Sequence, residues 1–558
     1  MEVIGSQKIA NEDSKAKIRT FAEEWRFIAP LIVFILVLTS LPYVYAYTTS
    51  PSDKQFVGVL SGIPDQFQYF AWMRDLSREN LAPNRLTSEP NDPAFFNLLW
   101  WIAGRIGVVT GLDYAMVFQV IRIFGVIICL SSFYVFLKMI PFARKNIRLS
   151  FILFAFGGGL GVIWIIVKFL LSLPEAPFPL DIYTAEPNTL LIMQVFPHFT
   201  VALALIIMIF SSFLYSLKTG KYRYAILSGL IGASLGFQHA YDLITIYSVL
   251  GLFGLLVWIR GREFPLRIFY SGLITFLLSS PPVFYLSFMV LTDQAWSRKL
   301  EQFDNAGVFT PPLYHLPILL GIPLLLALFA FRPGMLRSRD DGELLIASWF
   351  LMHFLLIYLP VDFQIHMLLG WQVPISVLAA AAITKYIVPF VRRQRPSLVV
   401  PAMAVIITIC VITNVYLQAW RFVYLSRYEP PNYISMDEEM ALRWLDVHTT
   451  RNDVVLAALD FGQFVPARSD ARAFLAHWAG TLDFFDKQAM VREVFDPAVS
   501  DARRREILSS YGVTYIVARE RDQAAAALDP AVGRYLTVVF SEGNTTIYRV
   551  ITANLPNG

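Results

Sequence analysis

The chain has 558 residues, 56% of them hydrophobic and 16% charged, with a formal net charge of +4. A soluble domain carries about a quarter charged residues, so this composition excludes an ordinary water-soluble protein and leaves a polytopic membrane protein with room for one soluble domain. The small positive charge sits in short loops and gives no footprint for nucleic acid.

Residues 1–26 are mixed in charge and lack a small-residue cleavage site, so they read as a cytoplasmic segment before a retained helix at 27–47. Further apolar runs follow at 115–140, 149–172, 189–216, 224–240, 243–259, 268–291, 314–331, 343–360, 367–388 and 398–420. That makes about eleven spans. The turns between them alternate in charge. One set holds Arg144, Lys145 and Arg148, then Lys218, Lys221 and Arg223, then Arg260, Arg262 and Arg267, with Arg332, Arg337, Arg339, Arg392, Arg393 and Arg395 beyond. The other set holds Asp65, Glu175, Asp181, Glu186, Asp242, Asp293 and Asp362. Lys and Arg in short loops mark the cytoplasmic side of a membrane. The acidic set, the long first loop 48–114 and all residues after 425 are therefore expected outside the cytoplasm, on a multi-pass protein of the cell membrane.

The apolar stretch 94–112 would put every later basic turn outside if it crossed, so it is expected as an interfacial or re-entrant helix on the outer surface, with Trp100 and Trp101 at the interface. Gly157, Gly158, Gly159 and Gly161 fall inside the third span. No Lys-Ser/Thr follows them, so they read as close helix packing and not as a phosphate loop. Cys129 and Cys410 lie in apolar spans and read as packing residues. After residue 425 the pattern becomes soluble. It predicts helices at 435–447, 482–495 and 499–511, strands at 454–458, 472–476, 513–518, 536–540 and 545–550, and a hairpin turn at 541–544. These alternate as in a small α/β domain over 426–558, without a glycine-rich nucleotide fingerprint.

The chemistry-bearing residues lie mostly on the outer side. Asp65 opens the first loop, with Tyr69 one helical turn later and Arg74 beyond. A carboxylate there can act as general base or hold a divalent cation, or can be a solvated loop residue. His198, His239, His315 and His366 fall near outer span ends, and His448 and His477 in the C-terminal domain, leaving His353 mid-span. His239 and Asp242 share one turn, where each can tune the other. Arg122 lies about two turns inside its span, where a guanidinium lines a cavity, pairs with an anion or snorkels. Arg298 and Lys299 offer outer-side cations, and Glu186 belongs to an acidic loop without Lys or Arg.

Five stretches carry a resemblance: YFAWMR at 69–74, GGGLGVIW at 157–164, FPHF at 196–199, HAYD at 239–242 and RAFLAHWAGTLDF at 472–484. With the long first loop and its early acid, the chain resembles integral-membrane glycosyltransferases of the GT-C type, within a bacterial group of GT-C-like membrane proteins. The resemblance implies an α-helical GT-C-like membrane domain over 27–425 and an extracytoplasmic α/β domain. It implies transfer of a hexosyl or pentosyl group from a polyprenyl-phosphate sugar to a glycan, lipid or protein acceptor of the cell envelope, with inversion. Asp65 is then the base or the residue for a Mg or Mn ion. Arg122, Arg298 and Lys299 are candidates for the donor phosphate. Tyr69, Arg74, Glu186, His198, His239, Asp242, Arg472 and His477 are candidates for the acceptor or for support, with Trp478 able to stack on a sugar. The sequence departs from the family pattern at Gln66, where many members carry a second acid, and at Ala240, where proline is expected. A lipid-linked glycan flippase or transporter, a polymer ligase and a scaffold that has lost activity are the rival readings. No internal repeat is evident and the polar residues crowd one surface, which favours surface chemistry over passage.

Overall fold

The computed structural model describes residues 2–302 and 309–551. Among the described residues, seven helices are long and apolar enough to cross a membrane, or nine if each of two bent pairs is one span. The first, α1, covers Glu2–Thr49. After the first loop comes α4, Tyr114–Met139. The bent pairs are Ile147–Phe156 with Gly161–Leu170, at 51°, and Leu266–Ser279 with Pro281–Thr292, at 41°. The remaining two expected spans form helices of 14 and 16 residues, Arg223–Gly236 and Asp341–Leu356. Both stop at the end where the chain unwinds to build polar turns. The first gives way to the turn carrying His239, held by Leu98 N–H on the Phe237 carbonyl and by the Gln238 amide on the His198 carbonyl. The second gives way to the irregular segment before His366.

The glycine run explains the sharper bend. Asp181 is fully buried and its carboxylate accepts the Gly161 N–H at 2.8 Å. A Cβ on Gly159 or Gly161 would lie 2.2 Å from that carboxylate. Gly321, at φ +67°, brings a second broken helix so close that its Cβ would be 2.2 Å from the Gly158 carbonyl. Asn414 donates to the Phe156 carbonyl and Thr413 to the Gly159 carbonyl, so the freed backbone groups are satisfied inside protein. The glycines serve close packing as expected, and they also break the span. Cys129 and Cys410 are buried free thiols.

The first loop contains a strand and two helices: β1, Lys54–Phe56; α2, Ile63–Arg78; and α3, Leu98–Thr110. β1 pairs antiparallel with β2, Tyr433–Ser435, just after the last span. α3 lies on α2 so tightly that a Cβ at Gly104 would be 2.4 Å from the Met73 carbonyl. Trp101 reaches Asn80 near the surface, but Trp100 is 2% exposed, buried against Tyr69 instead of anchoring at an interface. The expectation for Trp100 is corrected: α3 covers α2, and its inward face is a protein contact.

The C-terminal strands are β3, Val454–Leu456; β4, Arg472–Ala473; β5, Tyr515–Arg519; β6, Leu536–Glu542; and β7, Thr545–Val550. They form one sheet in the order β4-β3-β5-β7-β6, parallel around β3 and antiparallel around β7. The helix Met436–His448 starts with a full capping box between Ser435 and Glu438.

This domain is welded to the first loop. Arg85 is 3% exposed and donates to both Asp75 oxygens at 3.0 Å and to the carbonyls of Pro466, Ser469 and Ala471. Arg74 bridges Asp446 and Asp470. The Ala473 N–H bonds the Arg85 carbonyl. A guanidinium buried with its fork satisfied this way holds two segments in one register.

Candidate functional site

The site begins where α2 begins. Gly62 adopts φ 60°, ψ 41°, and a Cβ there would press within 3.0 Å of the Phe196 ring. That turn delivers Asp65 in the first helical turn, where unpaired backbone N–H groups present positive charge density. The Asp65 side chain is 43% exposed, and its Oδ1 lies 2.9 Å from His477 Nε2. His477 is almost fully buried, and its Nδ1 accepts the Ala479 N–H at 3.0 Å. The ring proton therefore sits on Nε2 and is donated to Asp65. The second carboxylate oxygen is left for another partner.

Tyr69 follows one turn later. Its ring stacks on Trp100 with centroids 4.8 Å apart, and its hydroxyl is 3.4 Å from His198 Nε2. Burial first, then the nearby carboxylates of Asp65 and Glu186, hold its phenol well above the ordinary value, so it keeps its proton. His198 is delivered by the break at Phe196, from which Pro197 starts a new helix. Its ring centroid is 5.3 Å from that of His239. His239 Nδ1 lies 3.0 Å from the Tyr241 hydroxyl and 3.3 Å from Asp242 Oδ2. Tyr241 stacks on His366, 5.1 Å between centroids, and His366 Nδ1 hydrogen-bonds Glu186. Asp65, Tyr69, Glu186, His198, His239, Asp242 and His477 are thus brought into one cluster of carboxylates, imidazoles and aromatic faces, mostly buried, with Asp65 at its exposed edge.

The other candidates lie elsewhere. Arg74 is spent on the weld, and Arg472 donates to the carbonyls of Ser88 and Asn452. Arg298 pairs with Asp483 at 2.8 Å. Lys299 is buried between the rings of Trp72 and Trp296, at 5.2 and 4.4 Å, and burial pushes its ammonium down to about 7. These cations join the first loop, the helix Gln294–Glu301 and the C-terminal domain instead of meeting that cluster. Trp478 packs beside His477, 5.0 Å between rings.

Arg122 is different. It is 2% exposed, donates to Gln119, Thr39 and Ser40, and lies 4.9 Å over the Tyr43 ring. Arg421 donates to the Leu60 carbonyl. Among the described residues neither guanidinium has a carboxylate within 4 Å.

Sequence reasoning gave no part in the site to His366, Tyr241 or Arg421, and placed Trp100 at the membrane interface. His366 carried a signal, its place at an outer span end, but its partner Glu186 lies 180 residues away. Among the described residues no group of three or more His, Cys, Asp or Glu is placed to hold a metal ion. Gln66, where a second acid would stand, turns its amide to the Val195 carbonyl. The side chain that Asp65 meets is thus one imidazole, His477.

A family of unknown function, DUF6541, matches residues 365–552. No curated protein matches the sequence. Solved structures do. The Archaeoglobus fulgidus oligosaccharyltransferase tethered with an acceptor peptide is 12% identical, with 96% of this chain and 75% of that one covered and a TM-score of 0.54. ArnT from Cupriavidus metallidurans bound to undecaprenyl phosphate is 11% identical, with 95% and 99% covered and a TM-score of 0.54. The mycobacterial arabinofuranosyltransferase AftD is 15% identical, with 94% of this chain but 40% of that one covered, at 0.53. These neighbours are GT-C-type glycosyltransferases, and this chain has their fold.

Proposed function

We propose that this chain transfers a sugar from a polyprenyl-phosphate carrier to an acceptor at the outer face of the cell membrane, with Asp65 as general base. The observation that carries the proposal is the Asp65–His477 pair, with Asp65 partly exposed at the edge of a cluster of imidazoles, carboxylates and aromatic rings; that cluster would form the pit that takes the sugar. The fold supports it. Among its neighbours, one structure holds undecaprenyl phosphate and another an acceptor peptide.

In this reading an acceptor O–H or N–H gives its proton to the free Asp65 oxygen while its heteroatom attacks the anomeric carbon. The bond from that carbon to the carrier phosphate breaks, polyprenyl phosphate leaves, and the centre inverts. His477 fixes the carboxylate rotamer through Oδ1 and directs the other oxygen to the acceptor. Tyr69, Trp100 and Tyr241 give apolar walls to the sugar, and Glu186, His239, Asp242 and His366 give polar partners to its hydroxyls. Arg122 and Arg421 suit the carrier phosphate. Two guanidiniums near the outer ends of their spans, without carboxylates, gain by meeting an anion. The positive-inside pattern supports placing pit and C-terminal domain outside the cytoplasm. No step needs a metal ion.

The test is transfer by the purified chain in proteoliposomes supplied with undecaprenyl-phosphate sugars and an envelope extract as acceptor. Asp65→Asn is expected to bind undecaprenyl phosphate as the wild type does and to lose transfer. Transfer at the wild-type rate would overturn the assignment, and sugar-lipid movement across the bilayer independent of Asp65 would favour a flippase.

A further inference from the structure

At the end of α4 opposite the pit, a groove of about 320 Å³ lies between the last turn of α4, the short helix Pro141–Arg144 and the C-terminal turn of the helix Pro197–Thr219. Tyr134, Lys138, Arg144, Tyr215 and Lys218 line it. The proposed reaction uses none of them. We infer that this groove holds the phosphate of an anionic phospholipid of the inner leaflet. The leaflet rests on the orientation proposed above; the groove and its charges do not.

The residues that line the groove include three cations, Lys138, Arg144 and Lys218, and no carboxylate. Lys138 is met by Glu24, which also accepts the Tyr134 hydroxyl, at 2.7 and 3.0 Å. Arg144 gives its Nε to the Lys138 carbonyl at 2.6 Å, and Lys218 gives its ammonium to the Met139 carbonyl. Among the described residues neither Arg144 nor Lys218 has a carboxylate within 4 Å. Lys218 feels Asp340 most among its charged neighbours, then Arg144 as a like charge and then Asp341, with both acids beyond 4 Å of it. Two like charges side by side at a helix-end cleft are eased by an anion between them. A phosphate suits the pair, with a planar fork on one side and a point charge on the other.

The apolar surroundings decide for a lipid over a soluble phosphate. The groove opens beside Val135, 53% exposed, and Tyr215, 43% exposed. On the same helix Phe124 and Ile128 are also exposed, at 60% and 45%. Positions 124, 128 and 135 share one helical face, so an apolar stripe leads along the span to the cations. A headgroup in the groove would lay its acyl chains on that stripe. Basic pockets between span ends on the cytoplasmic side suit anionic headgroups on general grounds.

The experiment is native mass spectrometry of the full chain in detergent, titrated with phosphatidylglycerol, phosphatidylcholine of the same chains, or soluble glycerol 3-phosphate. The wild type is expected to retain phosphatidylglycerol at a concentration about tenfold or more below phosphatidylcholine, since each basic side chain contributes to anionic-lipid affinity. The Arg144→Gln, Lys218→Gln double variant is expected to lose that preference, and the charge-keeping Arg144→Lys, Lys218→Arg variant to retain it. Asp65→Asn is expected to bind like the wild type, which separates this site from the transfer reading. No preference in the wild type would overturn the inference, and that arm stands even if the double variant fails to fold. Preference kept in the folded double variant, or glycerol 3-phosphate bound as well as the lipid, would overturn it too.

Discussion

His477 places its Nε2 2.9 Å from Oδ1 of Asp65, across 412 residues of chain. The C-terminal domain therefore supplies half of the pair at the head of the first loop, and the weld through Arg85 holds the two halves in register. A separate acid with a mobile lid would need no such buried clamp.

If Asp65 is the base, Asp65→Asn is expected to lower kcat by about 10²–10⁴-fold, the range for a positioned proton acceptor. His477→Ala is expected to cost less, because the carboxylate survives and only its orientation is lost. His477→Gln, which can still donate an N–H to Oδ1, is expected to recover part of that loss. Steady-state kinetics of the three variants check the order, and equal losses for Ala and Gln would count against a positioning N–H.

The weld makes a stability prediction. Arg85→Met leaves Asp75 buried without the Nε–H that its two oxygens share and orphans three carbonyls. Removing one partner of a buried pair costs about 3–5 kcal/mol. Thermal unfolding in detergent is expected to shift down accordingly, with faster proteolysis between the last span and the sheet. A variant as stable as the wild type would mean that the domain is held by other contacts.

The glycine bend gives a coupled pair. Gly161→Ala puts a methyl against the Asp181 carboxylate, an overpacking expected to cost about 1–3 kcal/mol. In an Asp181→Ala background most of that cost should vanish, because the three atoms nearest to the added Cβ belong to Asp181. A double-mutant cycle on thermal stability measures the coupling, and strict additivity would contradict the contact.

Asp181 also predicts a pH dependence. Burial raises its carboxyl from the ordinary 3.8 to about 7, against the lowering effect of backbone N–H groups. Between those values the folded chain binds more protons than the unfolded chain, so stability falls as pH rises from about 4 to about 7. Asp181→Asn keeps the acceptor for Gly161 without the charge. It is expected to flatten that slope, matching the wild type near pH 4 and exceeding it near pH 8. Parallel melting curves in that window would contradict the assignment.

The spans were legible because each apolar run is local in sequence, and the sorting of charge grouped Asp65, Glu186, His198, His239, Asp242 and His477 before any contact was known. The pairings were not legible. Asp65 with His477 and Glu186 with His366 depend on which span ends meet, and no local pattern encodes that. Hydropathy also ran on through Phe237, where the Leu98 N–H holds the turn from another segment, and through Ile357, where local turn bonds end the helix. Arg298 and Lys299 show the converse. Their composition suited a phosphate, but one found Asp483 and the other two indole rings. Outer-side placement narrows the candidates; only packing decides whether a cation meets a ligand or a neighbour.

A structure of the chain with undecaprenyl phosphate and an undecaprenyl-phosphate sugar, determined in lipid nanodiscs, tests the central assignment most directly. The expected result is a carrier phosphate on Arg122 or Arg421 with the anomeric carbon facing the free oxygen of Asp65. A carrier bound away from Asp65 and His477, with the pit closed to its sugar, would contradict it.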